Sequence, residues 1–127
     1  MIFAHLTLAV KDPYASSDFF AKTLGWKPIT LPGNVDIVAT WLEIAPGQQI
    51  HLLKIEGGRT GDSDREFGRH FAIFHPGSDF PALKQRLTEN GAQIVPPIRP
   101  TPFERFFFLD LDGYSFEVID QQGYRRE

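Results

Sequence analysis

The chain repeats itself, and the repeat limits its folds more than any single element does. His5 and His70 each open an apolar, alternating run, and each run is followed by a helical pattern closed by glycine. Gly25 comes 20 positions after His5, and Gly91 comes 21 after His70. Trp41-Leu-Glu-Ile-Ala-Pro-Gly47 then lines up with Phe107-Phe-Leu-Asp-Leu-Asp-Gly113. Four residues beyond those glycines stand His51 and Glu117, at offsets of 46 and 47 from the opening histidines. Self-similarity at one period signals duplicated structure. Whatever one half forms, the other half must be able to form.

Each half reads β-α-β-β-β. Residues 2–10 alternate as a strand, with His5, Thr7 and Ala9 on one face. Asp12 is placed to cap a helix with Pro13 in its first turn, and Gly25 closes it. Strands are expected over 26–31, 35–44 and 48–55, with turns at 32–34 and 45–47. The second half restarts with a strand over 69–75 and a helix capped by Ser78 or Asp79. Asn90-Gly91 ends that helix, a strand covers 92–95, and a proline-rich loop covers 96–102. Residues 106–120 then form a hairpin turned at Asp112-Gly113, a pair that supplies the positive φ of a two-residue turn. The expected architecture is α+β. Two pseudo-twofold-related βαβββ modules form a cupped mixed β-sheet with helices outside. The 127 residues make one domain, with module 1 about 1–56, a polar connection 57–68, module 2 about 69–120 and a polar tail 121–127.

Composition removes several function classes. A net charge of −3 leaves no basic footprint for nucleic acid or an anionic membrane. The absence of cysteine excludes disulfides and thiolate chemistry. No apolar run approaches a membrane span, and the first residues lack a signal-peptide pattern, so a cytoplasmic location is expected. Twelve Phe and two Trp call for a bulky core.

Glu117 sits between Phe116 and Val118, and a carboxylate there is costly unless something pairs with it. The repeat sets His5 against His70 and His51 against Glu117. If the modules pack about a twofold, three imidazoles and a carboxylate meet on strands, a donor set for one divalent ion of the Zn, Ni, Co, Mn or Fe type. His75, before Pro76, stands outside the pattern as a surface or loop residue.

The motifs Ala4-His-Leu-Thr-Leu-Ala-Val-Lys-Asp12, Ser17-Asp-Phe-Phe with Leu24-Gly-Trp26, Gly68-Arg-His-Phe-Ala-Ile-Phe74 and Phe108-Leu-Asp-Leu-Asp-Gly-Tyr-Ser-Phe-Glu117 together resemble the vicinal oxygen chelate superfamily. That superfamily includes glyoxalase I, methylmalonyl-CoA epimerase, extradiol dioxygenases and fosfomycin-resistance proteins. The resemblance covers nearly the whole chain. It implies paired βαβββ modules around a metal, commonly in a homodimer, and it matches His5, His51, His70 and Glu117 to the ligand positions of glyoxalase I-like members. Glu117 takes the position of the ligand that doubles as catalytic base. His51 departs from the family pattern, which has Glu there in glyoxalase I and Gln in the epimerases. The lysine, serine and tyrosine phosphonate contacts of fosfomycin-resistance proteins do not reappear in 97–107, which carry Arg99, Thr101 and Arg105.

The expected function is a metal-dependent lyase or isomerase of the glyoxalase I type. It acts on a small oxygen-chelating substrate by proton transfer next to a carbonyl, with Glu117 moving the proton. Thr7, Arg69, Arg99 and Arg105 are candidate substrate contacts, the arginines for an anionic tail. Two alternatives stand beside it: a metal-free small-molecule binding protein of the antibiotic-resistance kind, and an Fe(II) extradiol-type dioxygenase using two His and one carboxylate.

Overall fold

A computed structural model describes residues 3–33, 36–57 and 68–124. The chain divides into two compact units, Met1–Arg59 and Thr60–Glu127. The expected connection falls largely on 58–67, which, like 34–35 and 125–127, lies outside the described residues.

Both units carry the same element order, and the α+β expectation holds. Unit 1 runs β1 (His5–Val10), α1 (Pro13–Leu24), β2 (Lys27–Ile29), β3 (Ala39–Ala45) and β4 (Gln48–Lys54). Unit 2 runs β5 (Phe71–His75), a single 3-10 turn (Gly77–Asp79), α2 (Phe80–Glu89), β6 (Gln93–Val95), β7 (Arg105–Leu109) and β8 (Ser115–Asp120). The sheets are four-stranded and mixed, ordered β1-β4-β3-β2 and β5-β8-β7-β6. In each, the first strand lies parallel to the last, and the other pairs are antiparallel. The central strands of the two sheets are therefore β4 with β3 and β8 with β7, and they carry His51 and Glu117.

Capping explains where α1 starts and stops. The Asp12 carboxylate accepts from the N–H groups of Tyr14 (3.0 Å) and Ala15 (3.2 Å), and Gly25 ends the helix at φ 73°. In α2 neither Ser78 nor Asp79 caps through its side chain. The Asp79 carboxylate is drawn away to His75 Nε2 at 2.8 Å and Arg86 Nη2 at 2.9 Å. Those two contacts, Arg86 first, hold its pKa below the ordinary value. His75 is thus a hydrogen-bond partner of Asp79 at the end of β5.

Much of the aromatic load fills the cores, while Phe3, Tyr14 and Phe74 are exposed. In unit 1, Phe20 stacks on Trp26 and lies with Leu42, Ile50 and Leu52 among the buried residues. In unit 2, Phe106, Phe108, Phe116 and Val118 are buried, as are Leu83 and Leu87 of α2. Burial of each such side chain contributes about 1.5–3 kcal/mol. The third strand begins at Ala39, not at 35. Ile37 and Val38 are exposed, although the Lys54 N–H still donates to the Val38 carbonyl at 2.9 Å.

The β7–β8 turn also differs from expectation. Leu109 pairs with Ser115, so the connection has five residues, 110–114. Gly113 does take positive φ, at 86°. The geometry is set by Asp110, whose carboxylate accepts from the N–H groups of Asp112 (3.0 Å) and Tyr114 (2.9 Å). Burial pushes the Asp110 carboxyl up from 3.8 to about 6, against the pull of those N–H groups.

A folded pKa above the unfolded one means that the native state holds the proton longer, so stability falls as pH rises from about 4 through about 6. The upward shift corresponds to about 3 kcal/mol at most. Asp110→Asn keeps the acceptor oxygen and removes the ionisation. It is expected to flatten this segment of the stability curve, measured by urea unfolding at stepped pH. A curve parallel to the parent's throughout would refute the assignment.

Candidate functional site

The four repeat-related positions are brought together in pairs, one pair in each unit. In unit 1, β1 is an edge strand carrying His5 and Thr7, both exposed. His51 lies next to β1 on central β4, buried and directly opposite Trp41 of β3. Three rings therefore stack across three adjacent strands. Trp41 and His51 have centroids 3.7 Å apart with planes 4° from parallel, and His5 and His51 are 4.0 Å apart at 15°. Gln49, two residues back on the same face as His51, meets its Nε2 at 2.9 Å. With the carboxamide oxygen as acceptor, Nε2 carries the hydrogen and Nδ1 the lone pair. Burial, and then the neighbouring His5, lower the His51 pKa, so the ring is held neutral.

An imidazole lone pair lies in the ring plane, and nitrogen–metal bonds are about 2.1 Å long. Two near-parallel rings 4.0 Å apart cannot both point at one ion from this pose. The exposed His5 fits a ligand role as it stands. His51, whose Nδ1 lone pair is not used by Gln49, shares an ion with His5 only after the stack opens.

In unit 2 the pair is His70 and Glu117. His70 immediately precedes β5, and Glu117 is central in β8 with its side chain 11% exposed. His70 Nδ1 lies 2.9 Å from the Gly68 carbonyl oxygen. A carbonyl only accepts, so Nδ1 carries the hydrogen, and a neutral ring turns the lone pair of Nε2 outward. That nitrogen faces Glu117 Oε1 at 3.3 Å. With the ring neutral these are two acceptors, which a cation between them satisfies; with the ring protonated they form an ion pair. Anchoring one ring nitrogen to a carbonyl is also how ligating histidines are oriented. These two residues fit a divalent ion.

The second oxygen of Glu117 has a different partner. Arg105 Nη1 donates to Oε2 at 2.9 Å, with the arginine side chain 3% exposed. Arg105, expected among the substrate contacts, is turned inward. The hairpin register explains why: Phe107 lies opposite Glu117, so Arg105 stands diagonal to it on the same face. The expected two-residue turn would have paired Glu117 with Phe108 and put Arg105 on the other face, so the longer 110–114 connection decides this contact. For Gln49 and Trp41, alternation from His51 through the 45–47 turn already carried the signal. Arg69 and Arg99 are exposed, and Thr7 occupies the β1 position paired with His51. Among the described residues, neither unit alone gathers three or more His, Cys, Asp or Glu into a metal-binding group. No helix among them is long and apolar enough to cross a membrane.

Comparison with known proteins places this geometry in context. Residues 2–118 match the family model of the Glyoxalase/Bleomycin resistance protein/Dioxygenase superfamily. Among solved structures, the genomically encoded fosfomycin resistance protein FosX from Listeria monocytogenes is similar at TM-score 0.75 and 21% identity, over 100% of this chain and 94% of that one. A mutant of that protein, complexed with Mn(II) and 1S,2S-dihydroxypropylphosphonic acid, matches at TM-score 0.72 and 23% identity, over 94% and 92%. A possible glyoxalase from Bacillus cereus matches at 0.71 and 22%, over 94% and 98%. At these identities the likeness is one of fold. The comparison with curated proteins gives no match.

The ring stack makes the titration of His51 observable. Because its folded pKa is depressed, the stability it contributes is present above pH 6.5 and is lost as pH falls. Quenching of Trp41 fluorescence by the protonated ring is expected to set in below that pH, and His51→Phe is expected to abolish it. A quenching midpoint at or above the ordinary imidazole value would contradict the stack.

Proposed function

The chain belongs to the Glyoxalase/Bleomycin resistance protein/Dioxygenase superfamily, and we propose that it is a divalent-metal-dependent lyase or isomerase acting on a small oxygen-chelating substrate. The observation that carries this reading is the acceptor pair in unit 2. His70 is tethered through Nδ1, and its Nε2 faces the Glu117 carboxylate at 3.3 Å. His70 and Glu117 are the proposed ligands of unit 2. The family resemblance adds His5 and His51 of unit 1 to the proposed ligand set, His51 once it leaves its stack. The Mn(II) complex of a structural neighbour supports a divalent ion, and a homodimer is the proposed assembly.

A bound ion of this kind supplies Lewis-acid polarisation of a substrate oxygen. The chain's own residues do the rest. Glu117 takes a proton from the carbon next to the substrate carbonyl and returns it, and Oε1 is the oxygen for this because Oε2 accepts from Arg105. His70 stays fixed through Gly68 and does not follow the carboxylate as the proton moves. Exposed Arg69 and Arg99 contact an anionic substrate tail, and Thr7 contacts the substrate from β1. Arg105 lines the same cavity as Arg99, with its guanidinium directed at Glu117 and the Arg99 carbonyl.

Elemental analysis of the untagged full chain tests the metal reading. Near-stoichiometric metal is expected in the parent and is lost in His5→Ala and His70→Ala. No metal in the parent, even after incubation with each ion, would refute it. Glu117→Gln is expected to retain some metal while slowing deuterium exchange beside the substrate carbonyl by about a hundredfold or more. Unchanged exchange would remove Glu117 from the proton-transfer role.

A further inference from the structure

We infer that Arg105 is a positioning residue, which orients Glu117 and ties that orientation to the 96–104 segment. The inference rests on the metal reading of Glu117.

Arg105 is the first residue of β7 and is almost wholly buried, and its fork is used in two directions. Nη1 donates to Glu117 Oε2 at 2.9 Å, and Nη2 donates to the Arg99 carbonyl oxygen at 2.6 Å. The guanidinium carbon lies 5.5 Å from the centre of the Phe107 ring. A buried guanidinium–carboxylate pair is tolerated only when further hydrogen bonds offset its desolvation, and the Arg99 carbonyl provides one. A planar, pre-organised fork makes both bonds at once, whereas a lysine ammonium is a point donor on a flexible stem.

The geometry on Glu117 follows. With Oε2 fixed from one side, the carboxylate cannot rotate about its last bond without breaking a charge-assisted hydrogen bond. Oε1 is thereby kept toward His70. The geometry on the segment follows as well. Arg99 and its neighbours Pro97, Ile98, Thr101 and Phe103 line one side of an open cavity of about 500 Å³, facing Phe80 and Lys84 of α2. One guanidinium thus holds both the site carboxylate and the wall of that cavity. Movement of the 96–104 segment that withdraws the Arg99 carbonyl would loosen the arginine and, through it, Glu117.

The test uses the full chain loaded with Co(II), whose absorption reports ligand geometry. Arg105→Lys is expected to weaken Co(II) affinity by about ten- to a hundredfold, the effect of losing an outer-shell partner. It should also shift the cobalt absorption bands and speed hydrogen exchange at the amides of the 96–104 segment. Leu87→Val, in the core of α2, is the control. It should lower the melting temperature and leave the cobalt spectrum unchanged, which separates positioning from stability. Arg105→Gln, neutral but still a donor, is read in the same way should the lysine variant fail to fold. A variant that folds and keeps the parent's affinity and spectrum overturns the inference. A parent that takes up no Co(II) overturns the metal reading instead. In that case unchanged segment exchange in Arg105→Lys overturns the clamp, and faster exchange sustains it.

Discussion

A carboxylate on a central strand is the constraint around which unit 2 is arranged. Glu117 stands between Phe116 and Val118, both fully buried, and its own side chain has little access to water. Left alone it would destabilise the sheet by several kcal/mol, roughly the cost of an uncompensated buried charge. Two groups relieve it. Arg105 takes Oε2, and His70, held by the Gly68 carbonyl, stands against Oε1. Each lies on the face of the sheet that β8 assigns to Glu117, while the opposite face of the same strands is packed with aromatic rings. The division is strict because side chains alternate along a strand, so one strand supplies both core and site.

Unit 1 uses the same strand order for a different balance. Where unit 2 places a charge opposite Phe107, unit 1 places a neutral imidazole opposite Trp41. Stacking and the Gln49 contact then replace the ion pair. Burial and the nearness of His5 both disfavour the imidazolium. The duplicated frame thus carries two electrostatic solutions at equivalent positions: an ionic pair on one sheet and a ring stack on the other. This difference is why the repeat position that corresponds to Glu117 behaves here as part of an aromatic ladder.

Some features were legible because they are local. The β-α-β-β-β order, the Asp12 cap and the glycines at helix ends follow from periodicity and backbone preference. So does the shared face of His51 and Gln49. The expected cap of α2 and the two-residue turn failed for one reason. In each, a short acidic side chain with local capping potential found another partner. Asp79 was taken by Arg86 and His75, and Asp110 turned into its own loop.

The sequence by itself determined that two copies of one module would form, and which residues would share a face with His5, His51, His70 and Glu117. Period and alternation are properties of the chain. Tertiary structure decided the partners. It turned Arg105 inward to Glu117, closed the His5–His51–Trp41 stack, and set His70 Nε2 against Oε1. Those choices depend on cross-strand register and on which polar groups lose their water. Both are settled only when strands distant in sequence lie side by side.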